Sequence, residues 1–211
     1  DIQKPVLLHV LTKKGKGMIS RNQATREYHD DAVKFHAVKP NGRGLDKVEL
    51  TPENKSFSAP SFQSVFGSLA CEISRNRTDT VCITAAMREG TGLVPFANEF
   101  PDRFFDVGIA EGHAVTFSGG LATQGIRPIA AIYSTFLQRA YDHLVHDVAI
   151  QHLPVIFCLD RAGIAGEDGP THHGALDIAY LRCVQDLIVT APKNGNEFRH
   201  LLYTALNQTG R

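Results

Sequence analysis

Phe104-Phe105-Asp106-Val107-Gly108-Ile109-Ala110-Glu111-Gly112-His113-Ala114-Val115 decides how this chain is read. Phe104 to Ile109 is a short apolar run of the kind that forms a buried strand. From Ala114 to Leu121 the residues are small and apolar, as in a buried helix. Glu111 stands at the junction, flanked by Ala and Gly, where that helix would begin. An ionised acid is costly to bury without a partner. One placed there has a proton to exchange or a cation to face. The alternative is a helix-start Glu that faces water and the positive end of the helix dipole.

Outward from this stretch, strands and helices alternate. Ser61 is a candidate cap for a helix to about residue 74, with Phe62, Val65, Phe66, Leu69 and Ile73 on one face. Strand-like runs are expected at 80–85, 104–109, 128–133, 155–159 and 187–190, with helices at about 92–99, 112–124, 136–151 and 195–207. Strands apolar throughout, separated by helices, predict an α/β fold: a mainly parallel sheet covered by helices on both faces. Such sheets bind ligands beyond the carboxyl ends of their strands. Residues 1–60 differ. Val6 to Leu11 is a plausible buried strand, a basic Lys13-Lys14-Gly15-Lys16-Gly17 follows, and 20–60 is polar and rich in turn residues, as in a linker.

Composition narrows the function classes. The chain has 211 residues, 43% of them hydrophobic, with 22 basic and 22 acidic side chains. This balance gives no reason to expect nucleic-acid or membrane partners. No apolar stretch has membrane-spanning length and no signal peptide is visible. Cys71, Cys82, Cys158 and Cys183 form no C-x-x-C pair and read as reduced thiols of a cytoplasmic protein. The chain starts at Asp1 rather than Met and ends just after a helical pattern, so it is expected to be part of a longer polypeptide.

The strand ends hold the candidate chemistry. After the first comes Met87-Arg88-Glu89-Gly90-Thr91-Gly92, whose glycines permit close approach of a ligand or make a plain turn. After the third comes Tyr133-Ser134-Thr135-Phe136-Leu137-Gln138-Arg139-Ala140-Tyr141-Asp142. There Phe136 could be only core, and Arg139 could merely pair with Asp142. The longest loop runs from Asp160-Arg161-Ala162-Gly163 to Asp168-Gly169-Pro170-Thr171-His172-His173-Gly174, a composition common in binding loops. Adjacent histidines point apart and lack a third ligand at a recognised spacing, so no metal site is expected here. His172 near Arg161 and Asp168 suits a substrate-facing proton donor. Nucleotide-binding glycine motifs and a Gly-x-Ser-x-Gly elbow are absent.

Together with Ile83-Thr84-Ala85-Ala86-Met87 and Phe35-His36-Ala37-Val38, these segments resemble the 1-deoxy-D-xylulose-5-phosphate synthase family, thiamine-diphosphate enzymes related to transketolase. The resemblance covers nearly the whole chain, and the Tyr133–Asp142 run separates this family from transketolases in general. It implies a transketolase-like pyrimidine-binding domain at 61–211, preceded at 1–60 by the end of a diphosphate-binding domain and a linker. It also implies condensation of pyruvate with D-glyceraldehyde 3-phosphate to 1-deoxy-D-xylulose 5-phosphate and carbon dioxide. That product feeds isoprenoid, thiamine and pyridoxal synthesis.

By the same resemblance Glu111 bonds a ring nitrogen of the cofactor's aminopyrimidine and promotes loss of the thiazolium C2 proton. Phe136 packs on that ring, Arg139 helps hold the pocket, and Lys14 lies near the diphosphate. Tyr133, Arg161, Asp168, His172 and His36 face substrate, with Arg161 meeting the phosphate and the two histidines assisting proton transfer. The family's Gly-Asp-Gly…Asn motif, which holds Mg2+ and the diphosphate, does not occur here. The metal ligands are therefore expected outside this chain, the fragment alone is expected to be inactive, and the complete enzyme is expected to be a homodimer. The position after Glu111, often Gln in the family, is Gly112, which leaves open any bond a side chain there would make. The alternatives are a transketolase-type or 2-oxoacid dehydrogenase subunit, or a non-catalytic module retaining the fold.

Overall fold

A computed structural model describes residues 59–208. Val6–Leu11, Lys14, His36 and the 20–60 segment, singled out above, therefore lie outside the described residues, apart from Ala59 and Pro60.

The first helix, α1 (Phe62–Asn76), starts where Ser61 accepts a hydrogen bond from the Ser64 amide at 3.2 Å. Its 3–4 spacing buries Phe66, Leu69 and Ile73. Phe62 instead lies half open, edge-on to Phe198 at 6.3 Å. There follow β1 (Thr80–Thr84), α2 (Val94–Glu99), β2 (Phe104–Asp106), α3 (Glu111–Thr123) and β3 (Arg127–Tyr133). The region expected as one helix at 136–151 is instead a relay. It comprises α4 (Ser134–Leu137), a 3-10 turn (Gln138–Ala140), α5 (Tyr141–His143) and a widened π turn (Leu144–Ala149). The chain closes with β4 (Ile156–Asp160), α6 (Asp177–Leu181) and α7 (Gly195–Asn207), the last capped by Asn194 on the Glu197 amide.

The four strands are parallel in the order β2-β1-β3-β4. Alternation along them divides the interior into two layers. Cys82, Ile129 and Ala131 face α1, α2 and α7. Val81, Ile83, Ala130 and Ile132 face α3 and the relay after β3. Both sheet faces are thus covered, as an all-parallel sheet requires.

No fifth strand forms at 187–190 among the described residues. Leu187 and Val189 pack against the second layer while Ile188 is exposed, so the alternation is satisfied by packing without ladder bonds. Neighbours β1 and β3 send their connections to opposite sides of the sheet. Their carboxyl ends therefore flank the switch-point crevice where α/β ligands bind.

Candidate active site at the strand ends

Glu111 is the first residue of α3 and only 3% exposed, so it faces the interior rather than water. The turn that delivers it is tied down by Asp106. One oxygen, Oδ1, accepts from the Gly108 amide at 3.0 Å and the Ala86 amide at 2.8 Å, joining the loops after β1 and β2. Gly108 holds φ +69, a backbone that residues with a Cβ rarely adopt. Ala110 supplies no side-chain cap, so the Glu111 carboxylate is the negative group nearest the helix start.

Arg139 answers the charge: its Nη1 donates to Glu111 Oε1 at 2.8 Å. The arginine is used on Glu111, not on the Asp142 partner that helical spacing suggested. Among the described residues Glu111 Oε2 receives no hydrogen bond, which leaves an acceptor for a ligand N–H.

A run of planar groups starts beside this pair. Arg139 lies 5.1 Å from the centre of the Phe136 ring. Phe136 and Tyr133 stack at 5.6 Å with planes 5° apart. Arg161 lies over the other end, 4.8 Å from the Tyr133 ring centre. His172 meets Phe136 edge-on at 5.3 Å. Cations over ring faces are attracted by the ring quadrupole, so the run orients both arginines.

Phe136 is only half-buried and so retains a face for a flat ligand. Tyr133 is buried, and desolvation pushes its phenol up, partly opposed by Arg161. Burial likewise raises the carboxyl of Asp160, which is opposed by the adjacent Arg161, whose Nη1 donates to it at 2.7 Å. Arg161 itself has φ +57, a strained backbone of the kind that functional sites retain.

The loop after β4 folds back over α4. Gly163 and Gly174 exchange backbone bonds at 2.9 and 2.8 Å. Thr135 Oγ1 donates to the Thr171 carbonyl at 3.2 Å, and Thr171 bonds His172 Nδ1 at 2.9 Å. His173 is structural: its Nδ1 accepts from the Ala165 amide at 3.0 Å. Asp168 ends a 3-10 turn, Gly166–Asp168, and is exposed; its charge adds to the upward push on Tyr133. No group of three potential metal ligands occurs among the described residues.

Tyr133, Phe136, Arg139, Glu111, Arg161 and His172 thus form one linked array, with Asp168 at its margin. Three glycines named in the sequence are packed closely here, and His143, which covers one of them, was not singled out there. A Cβ on Gly90 would lie 2.2 Å from the Tyr133 hydroxyl. One on Gly174 would lie 2.4 Å from Ser134 Oγ. Gly112 is covered by the His143 ring, at 2.8 Å from where its Cβ would be. Glycine in a polar turn was the available signal for Gly90 and Gly174; His143 reads in sequence only as a polar helical residue.

An acid enclosed at a helix start, an arginine on it and a half-open aromatic face place the chain in a known class. Residues 58–211 match the transketolase pyrimidine-binding domain, and the chain belongs to that family. It is 55% identical over 206 residues to 1-deoxy-D-xylulose-5-phosphate synthase of Aquifex aeolicus (strain VF5), covering 98% of this chain and 31% of that protein. Against the synthase of Thermomicrobium roseum it is 54% identical over 202 residues, covering 96% and 29%. The chain thus spans about a third of the length of these curated relatives.

Among solved structures it is similar to a split-gene transketolase described as an inactive β4 tetramer. The TM-score is 0.65 and the identity 25%, over 72% of this chain and 50% of that one. Transketolase from Leishmania mexicana, at TM-score 0.64 and 24% identity over 74% of this chain and 25% of that one, shares the fold.

Proposed function

We propose that this chain is the pyrimidine-binding domain of a thiamine-diphosphate-dependent 1-deoxy-D-xylulose-5-phosphate synthase. The complete enzyme joins pyruvate to D-glyceraldehyde 3-phosphate with release of carbon dioxide, at the entry to non-mevalonate isoprenoid synthesis. The observation that carries this reading is the buried Glu111 with one oxygen on Arg139 and the other without a bond among the described residues, beside the half-open Phe136 ring. That donor and acceptor set fits an aminopyrimidine, which presents a flat ring and a ring nitrogen able to carry a proton. Identity of more than half with named synthases supports the choice within the family.

Thiamine diphosphate supplies an acidic ring carbon and an electron sink for decarboxylation. Glu111 would hold a ring nitrogen of the pyrimidine through its second carboxylate oxygen and so favour a proton at that atom. Arg139 holds the carboxylate in place through its hydrogen bond. Phe136 gives the ring a surface that excludes water. Across the aromatic run, Arg161 meets the phosphate of glyceraldehyde 3-phosphate. His172, steadied by Thr171, bonds substrate oxygens and exchanges a proton. Tyr133 and Asp168 border the same substrate space. For His36 and Lys14 the family resemblance implies a second proton-transfer group and a diphosphate contact.

In this reading residues 61–211 form the domain, and 1–60 are the end of a diphosphate-binding domain and a linker. Mg2+ and its ligands belong to the rest of the polypeptide. The working enzyme is a cytoplasmic homodimer, and the isolated chain is inactive.

The test is hydrogen–deuterium exchange at C2 of bound thiamine diphosphate in the full-length polypeptide. Glu111→Ala should slow it by at least about 100-fold, the lower range for a positioned acid–base group. Exchange at the wild-type rate would remove Glu111 from this role.

A further inference from the structure

We infer that His143 is a positioning residue that fixes Glu111 by packing on Gly112, so that the two positions form one volume-matched pair. The inference rests on the proposed role of Glu111. The relay after β3 touches the first turn of α3 at two successive residues. Arg139 bonds Glu111 at 2.8 Å, and His143, four residues further along, covers Gly112. Guanidinium and imidazole thus bracket the same turn.

The fit at Gly112 is close. An added Cβ would lie 2.8 Å from His143 Cε1, 3.0 Å from Nε2 and 3.2 Å from Nδ1, nearer than side chains normally approach. Either the ring or the first turn of α3 would have to shift, and that turn begins with Glu111.

Below this point α3 is seated too firmly to absorb the shift. Thr116 Oγ1 donates to Asp147 Oδ2 at 2.5 Å. A Cβ on Gly119 would lie 2.9 Å from the Asp147 carbonyl oxygen. Positions 112, 116 and 119 share one helix face, and all three meet the segment 143–147.

The ring is held by shape. Its Nδ1 is enclosed and has no hydrogen-bond partner among the described residues. A side chain retained by packing can be exchanged for equivalent volume across the contact, which one retained by a polar bond cannot. Gly112 and His143 therefore compensate each other in size.

The experiment is a double-mutant cycle in the full-length polypeptide with Gly112→Gln, His143→Ala and both together. Three readouts are taken: thiamine diphosphate Kd, KM for glyceraldehyde 3-phosphate, and thermal midpoint without cofactor. Gly112→Gln should raise Kd about 10-fold, the size of a displaced contact at a bound ligand, and leave KM within about twofold. His143→Ala should weaken cofactor binding less. The double variant should return Kd to within about threefold of wild type, with the midpoint recovering in parallel.

A double variant as impaired as the product of the singles overturns the inference, as does a Gly112→Gln enzyme that binds cofactor like wild type. Should the wild-type polypeptide bind no thiamine diphosphate, the proposed function fails. The cofactor-free midpoints then still decide whether Gly112 and His143 are volume-matched.

Discussion

Replacing Arg139 by alanine isolates the most consequential contact in the site. Glu111 is 3% exposed, whereas the arginine side chain is 57% exposed. Exposed ion pairs contribute about 0–1 kcal/mol. Removing one partner of a buried pair costs about 3–5 kcal/mol, because it strands a charge. This pair has one member in each regime, so Arg139→Ala should destabilise the protein by about 2 kcal/mol. Most of that loss should come from the stranded carboxylate. In a Glu111→Gln background, where there is no charge to strand, the same change should cost about 0.5 kcal/mol.

Urea unfolding of wild type, both single variants and the double variant measures the coupling directly. The expected value is about 1.5 kcal/mol. A coupling below about 0.5 kcal/mol would mean that Arg139 acts through its contact with Phe136 or through helix packing, and the electrostatic reasoning would fail.

Two further outcomes test the packing. Gly67→Ala in α1 should gain about 1 kcal/mol from helix propensity. Its new Cβ would, however, stand 2.1 Å from the backbone oxygen of Gly92, so the overpacking cost should dominate and lower the thermal midpoint; a raised midpoint would refute that contact. Thiol labelling at pH 8 should modify the exposed Cys183 and leave Cys158 untouched until unfolding. Cys158 lies on β4 and is partly open as a residue, yet burial of its thiol pushes the pKa from 9.0 up to about 12. The folded value exceeds the unfolded one, so this contribution to stability is complete below the unfolded pKa and is lost as pH rises through about 12. Native-state labelling of Cys158 at a rate matching Cys183 would contradict it.

The elements legible in sequence were those whose signal is local. Phe104 to Val115 announced a strand, a turn and a helix because glycine position changes within a few residues, but the strand expected to Ile109 ends at Asp106, is only partly buried, and leaves Ile109 exposed. The helix expected at 195–207 forms, and Asn194 caps it on the Glu197 amide. At 187–190 alternation reported which side chains face inward, and it cannot report whether the backbone finds a ladder partner.

The 134–149 relay contains no Gly or Pro to mark its breaks. Its irregular turns lie where it fits against α3, a contact that sequence periodicity does not encode. The same limit applied to the site. Glu111, Phe136 and Arg139 stood out by residue type at strand ends. The choice of Glu111 over Asp142 as the partner of Arg139 depends on a separation of 28 residues along the chain and 2.8 Å in space.

Arg139 presents one edge to an enclosed acid and the rest of its side chain to the medium. Water does not reach the acid freely, but dissolved anions reach its counter-ion. Sulfate, phosphate and high ionic strength therefore act on the interior charge at second hand, by competing for or screening the guanidinium. Buffer composition thereby becomes an experimental variable of the site itself.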